Sequence, residues 1–290
     1  MPSIEENRVQ WGEKYEWQDG GDEWSHQWGS PKTQWFYALY PRLEPFLPSA
    51  TILEIAPGFG RWTEFLLDHC DRLVGVDLNA NCVEECRRRF SGHPSVSFHV
   101  NDGRSLPMVA DKSIDLAFSF DSLVHVEADV IADYLGELAR VLNRDGVGFL
   151  HHSNLGQYRR SVEFTRPALQ GARRRFLDAA GPRHERQVNR IFGAVVHRAG
   201  LGEETWRALS VNAEIFADLC GDAGLRCVSQ ELVTWGSAVR FTDCISVVAR
   251  GDSTSTGSTR VVKNRGFWAA GGSARLASSL YAKPGVPVAR

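Results

Sequence analysis

The sequence predicts an α/β domain: a seven-stranded, mostly parallel sheet with helices on both faces and an antiparallel last strand. Three observations predict it. Short apolar runs of strand length alternate with amphipathic stretches of ten or more residues, the rhythm of βαβ units. Leu73 to Val76 and Gly146 to Leu150 are apolar throughout, as strands covered on both faces are. The last two runs have little more than a turn between them, which pairs them antiparallel.

Residues 1–46 form a Trp-rich arm and a helix, a candidate lid. Trp11, Trp17, Trp24 and Trp28 stand among glycines and acids with no regular period, so residues 1–30 read as irregular. From about Pro31 to Phe46 the spacing predicts a helix with Trp35, Phe36, Leu39 and Leu43 on one face. The main domain spans 47–250. Its first strand, Thr51 to Ala56, ends in Pro57-Gly58-Phe59-Gly60 and is followed by an amphipathic stretch from Trp62 to Cys70. A second strand, Leu73 to Asp77, leads to a helix from Asn81 to Phe90. A third, Val96 to Val100, stops at Asn101-Asp102-Gly103, and a fourth runs from Ile114 to Phe120. A helix from about Asp129 to Leu142 precedes the fifth strand, Gly146 to Leu150. Residues 157–209 are Arg-rich and strandless and read as a helical insertion. Val211 to Ala223 is helical with Gly224 as its cap. Arg226 to Trp235 and Phe241 to Arg250 form the terminal pair. Residues 251–290 read as a flexible polar linker and a tail with helical character from Phe267 to Tyr281.

The bulk numbers exclude several classes of function. A net charge of -2 over 290 residues gives no global pull toward nucleic acid or an anionic membrane. No apolar run approaches the roughly 20 residues of a membrane span. The first residues lack the basic-then-apolar layout of a signal peptide, so a cytoplasmic location is expected. The six cysteines are scattered and form no CxxC pair, which argues for small buried apolar residues rather than a zinc site.

The chemistry concentrates at the strand ends. Glycines after the first strand bring backbone amides close to a ligand. Asp77 closes the second strand, 17 residues after Gly60, where a carboxylate accepts the ribose hydroxyls of an adenosine-type cofactor. A dinucleotide loop reads GxGxxG and holds a pyrophosphate at a helix start. Here only Gly58 and Gly60 are present, and Glu54 precedes them. That acid favours a ligand with a cationic amino-acid end. Asp102 after the third strand is placed to take an adenine amine, although Asn-Asp-Gly also suits a tight turn. Ala56, Leu78, Asn101, Gly103 and Phe120 complete the expected cofactor contacts.

At these residues the sequence resembles the class I S-adenosylmethionine-dependent methyltransferases, over about Thr51 to Ser153. The family's acid-x-Gly-x-Gly-x-Gly motif appears as Glu54-Ile55-Ala56-Pro57-Gly58-Phe59-Gly60, with Ala56 in place of the first glycine. Asp77 matches the family's ribose acid and Asp102 its adenine acid. Arg140-Val141-Leu142-Asn143-Arg144-Asp145-Gly146 is similar to the segment before the family's fifth strand, without its proline. The resemblance implies a Rossmann-like fold, S-adenosyl-L-methionine as the cofactor and methyl transfer as the activity.

A hydroxyl acceptor needs a group to take its proton. Asp121 follows strand four and His151-His152-Ser153-Asn154 ends strand five, both on the ligand edge of a parallel sheet. His152 or His151 is therefore the expected base, with Asp121 lining the site. Neighbours on a strand face opposite ways, so one of the two faces the acceptor. A divalent metal on Asp121, His151 and His152 is the less favoured reading. Trp24, Trp28, His125 and Arg207 are expected at the acceptor, since indoles beside polar groups suit sugar rings. The arm motif, Trp11-Gly12-x-x-Tyr15-x-Trp17 with Trp24 and Trp28-Gly29, is similar to that of bacterial methyltransferases associated with glycan biosynthesis. It implies O-methylation of a sugar in a glycan or glycolipid precursor. The alternatives are a small natural-product or lipid acceptor, and a non-catalytic module that binds the cofactor. No nucleic-acid partner is expected.

Overall fold

The computed structural model describes residues 3–180, 184–198, 206–234, 240–252 and 258–280. Eight strands form one sheet: β1 (Ser49–Ile55), β2 (Cys70–Asp77), β3 (Val96–Val100), β4 (Ile114–Ser119), β5 (Leu142–Ser153), β6 (Leu225–Val233), β7 (Asp243–Arg250) and β8 (Arg260–Asn264). Their order is β3-β2-β1-β4-β5-β7-β6-β8. Strand β7 runs antiparallel to both neighbours, and every other pairing is parallel. The fold is thus Rossmann-like and mostly parallel, as expected, with one strand more than the seven predicted. The extra strand, β8, extends the sheet beside β6 from within the stretch read as linker and tail.

Strand alternation sorts the core into two layers. Leu53, Ile55, Val74, Val76, Ala117 and Leu150 face one side. There they pack under helices Ala128–Val141 and Ala213–Asp222, through Leu135, Leu138 and Phe216. Ile52, Leu73, Leu116, Phe118 and Phe149 face the other side. They meet Trp35, Leu39 and Leu43 from the N-terminal helical run and Val83 and Cys86 from helix Ala80–Arg89. Because β1, β2, β3, β4 and β5 are parallel, their carboxyl ends share one edge, where loops can converge on a ligand.

The arm is not irregular. It folds as a helix, Ile4–Val9, with Ser3 and Glu6 closing a reciprocal cap, then a wide turn at Gln10–Lys14 and a tight helix at Asp22–Trp28. The predicted helix from Pro31 is a broken helical run reaching Phe46. Trp35, Leu39 and Leu43 are buried in it, while Phe36 stays half exposed. The insertion holds helices Arg159–Ala180 and Glu185–Arg198, and the tail holds helix Phe267–Leu280. Residues 253–257 of the predicted linker and 281–290 of the tail lie outside the described residues. All six cysteines are free. No helix among the described residues is long and apolar enough to cross a membrane.

Candidate active site

A cavity of about 950 Å³ opens at the carboxyl edge of β1, β2 and β4 and is roofed by the arm. Its floor comes from strand ends. Glu54 is buried at the penultimate position of β1, where Thr63 Oγ1 donates to its Oε2 at 2.5 Å. Its Oε1 is buried without a hydrogen-bond partner. Burial, with only Thr63 and distant arginines opposing it, pushes this carboxyl up to about 7. Asp77 ends β2. Gly58 N–H donates to its Oδ2 at 3.1 Å and Asn79 N–H to its Oδ1 at 2.9 Å. Burial outweighs these bonds and raises its carboxyl to about 6.

Between the acids the chain turns through Ala56, Pro57 and Gly58, with positive φ at Ala56 (56°) and Gly58 (59°). Ala56 takes the left-handed conformation that a glycine would adopt without strain. Its N–H donates to Val76 O at 2.7 Å and its carbonyl accepts from Ser122 Oγ at 3.0 Å. A Cβ on Gly58 would meet the Trp17 ring at 2.9 Å. Gly60 is different. It does not line the cavity, and a Cβ there would lie 2.5 Å from the Phe90 ring.

Of the other expected cofactor residues, Leu78, Gly103 and Phe120 line the cavity. Asn101 and Asp102 do not. Asn101 is buried, donating to Tyr134 OH at 3.0 Å and Ser105 O at 3.1 Å. Asp102 is exposed, and its carboxylate accepts from Arg104 N–H, Ser105 N–H and Ser105 Oγ. The turn-forming role, rather than an adenine contact, is the one this geometry gives Asp102. The buried, unpartnered oxygen of Glu54, the carboxylate of Asp77 and the Gly58 loop together fit a ligand with a cationic end and a ribose.

The expected bases need correction. His152 points away from the cavity into the layer beneath helix Ala213–Asp222. It stacks on Phe216 at 3.8 Å, with Nδ1 on Ser153 O at 2.9 Å and Nε2 on Ser246 Oγ at 2.8 Å. Burial drives it down to about 3. Both nitrogens are engaged, so it is a core histidine. His151 faces the site's side of the sheet but lies behind Phe120, which stacks on it at 4.5 Å, and is outside the lining. Asp121 N–H donates to its Nδ1 at 3.1 Å, and its Nε2 lies 3.5 Å from Asp243 Oδ2. Burial opposes charge on His151, yet the two carboxylates beside it outweigh burial and raise its pKa. The opposed faces of His151 and His152 also break up the metal set they would form with Asp121. Among the described residues no cluster of three His, Cys, Asp or Glu has metal-binding placement.

Asp121 does line the cavity, in a left-handed conformation at φ 66°. Arg61 Nη2 donates to its Oδ2 at 2.7 Å, and its Oδ1 is 3.3 Å from His151 Nδ1. Burial pushes its carboxyl up, but His151 and Arg61 more than compensate and hold it below the usual range. Arg61 went unassigned in the sequence, although it directly follows Gly60. Arg207 lines the same wall and forks onto buried Asp243, with Nη2 donating to Oδ2 at 2.7 Å.

His125 also lines the cavity. Trp206 O bonds its Nδ1, Trp11 lies against its ring at 5.0 Å, and Asn7 Nδ2 donates to its carbonyl at 2.9 Å. Burial pushes its imidazole down to about 4, so it is neutral near pH 7. A proton on Nδ1, donated to Trp206 O, leaves the Nε2 lone pair available. Trp11, Trp17, Trp24 and Trp206 line the cavity, with Trp17 stacked on Phe59 at 4.5 Å. Trp28 does not reach it. That ring is fully buried against Phe267 of the C-terminal helix, at 5.4 Å.

Residues 52–146 match the family model described as a methyltransferase domain. No curated protein matches the chain. Among solved structures, the PH0226 protein of Pyrococcus horikoshii OT3 is 17% identical, with 76% of this chain and 90% of that chain covered and a TM-score of 0.50. A TehB-like SAM-dependent methyltransferase from Corynebacterium glutamicum is 15% identical, covering 69% of this chain and 80% of that one, with a TM-score of 0.43. The N-methyltransferase NodS from Bradyrhizobium japonicum WM9 is 14% identical, covering 80% and 97%, at a TM-score of 0.45. The family match covers β1 to the start of β5, and the PH0226 protein shares the fold.

Proposed function

We propose that this protein transfers a methyl group from S-adenosylmethionine to a hydroxyl of a sugar in a glycan or glycolipid precursor. One observation carries the reading: a single cavity joins the acidic strand ends Glu54 and Asp77 to a wall of indoles and polar side chains. In the cofactor half, Asp77 would accept ribose hydroxyls. Glu54 would face the amino group, and Gly58 and Gly103 would let backbone approach closely. The bound donor supplies a methyl group on a sulfonium, an electrophile that needs little from the protein beyond position and dryness.

In the acceptor half, Trp11 and Trp24 offer faces for a sugar ring, while Asn7, Gln27, Arg61 and Asp121 offer polar partners. His125 replaces His152 and His151 as the base. Its Nε2 would take the hydroxyl proton as the oxygen is methylated, and the imidazolium would then release it to water. Asp121 suits this role less, because Arg61 Nη2 donates to its Oδ2 and the charges beside it hold its carboxyl below the usual range. Incubation with methyl-labelled S-adenosylmethionine and a panel of nucleotide sugars and oligosaccharides tests the reading. Label should appear on a sugar oxygen. Label on phenols or amines alone would contradict it.

A further inference from the structure

The two helices of the insertion carry a charge unlike the rest of the chain. Arg159–Ala180 and Glu185–Arg198 hold nine arginines against three acids, in a protein whose overall charge is -2. Among the described residues, no carboxylate pairs with Arg174, Arg175, Arg186 or Arg190, and all four are exposed. Large apolar side chains stand exposed among them: Phe164 at 83%, Phe176 at 59% and Ile191 at 55%. Phe176 reaches Phe192 across the pair at 5.6 Å. A soluble surface seldom exposes such side chains beside clustered cations without a partner.

We propose that this helical pair docks the protein on an anionic lipid surface. Arginines meet lipid head groups, and phenylalanine and isoleucine enter the acyl boundary, the arrangement of an interfacial amphipathic helix. Charge alone would also attract RNA, but phosphate binding gives no role to exposed Phe164, Phe176 and Ile191. The docking itself does not depend on the methyl-transfer reading.

Co-sedimentation of the full chain with vesicles tests this directly. The protein should pellet with vesicles of phosphatidylcholine and phosphatidylglycerol, stay in solution with phosphatidylcholine alone, and leave the mixed vesicles as salt is raised. The double variant Arg174→Glu/Arg175→Glu should weaken binding about tenfold or more. Phe164→Ser, at a side chain too exposed to support the fold, should weaken it several-fold with an unchanged melting curve. No binding to the mixed vesicles, equal binding to the neutral ones, insensitivity to both variants, or displacement by a structured RNA would each overturn the proposal. Methyl transfer to a soluble sugar by a protein that ignores vesicles would sink the docking and leave the activity standing.

Discussion

Glu54 and Asp77 show how much the cavity depends on single charges. Both are carboxylic acids sunk where water is scarce, and burial raises them to about 7 and about 6. A cationic ligand prefers the carboxylate, so its affinity should increase as pH rises through these values. Calorimetric titration with S-adenosylhomocysteine should give tighter binding at pH 8 than at pH 5.5, and Glu54→Gln should flatten that dependence. A pH-independent affinity in the unaltered protein would contradict the assignment. The histidines separate chemistry from packing. His125→Ala should lower turnover by roughly 10²–10⁴ while leaving S-adenosylhomocysteine affinity nearly unchanged. His152→Ala should instead cost roughly 2–4 kcal/mol in urea unfolding. It opens a cavity under Phe216 and strips Ser246 of a partner.

At the scale of elements, the two glycines of the first loop serve different neighbours. Gly60, at φ 83°, backs onto Phe90 of the segment after helix Ala80–Arg89. Gly60→Ala should destabilise by roughly 2–4 kcal/mol in chemical denaturation, through backbone strain and overpacking together. Gly58→Ala should act mainly by displacing Trp17 and loosening the arm. The strands were legible where their apolar runs were continuous, as in Ile52-Leu53 of β1 and Leu116-Ala117-Phe118 of β4. Strand β8 was not, because four of its five residues are exposed and its sheet partner β6 lies beyond β7 in the sequence. The arm misled for a related reason. Its helices are short and differ in pitch, and Trp28 is buried by a helix some 240 residues later, across Gly271, where a Cβ would strike the indole at 2.6 Å.

At the scale of the whole molecule, the acids ending β1 and β2 were readable because strand ends in a parallel sheet share one edge. The base was not. Period-two alternation says that His151 and His152 face apart, but not that Phe120 screens one from the cavity and helix Ala213–Asp222 covers the other. Nor does it place His125 under Trp11 of the arm, against Trp206 at the far side of the insertion. Segments distant in the chain complete the cavity, so arm, sheet edge and insertion act as one unit. The most direct measurement is calorimetric titration of the full chain with S-adenosylhomocysteine, alongside Asp77→Ala. Saturable one-to-one binding is expected, weakening roughly 10–100-fold when the Asp77 carboxylate is lost. Absence of saturable binding, or equal affinity in the variant, would contradict it.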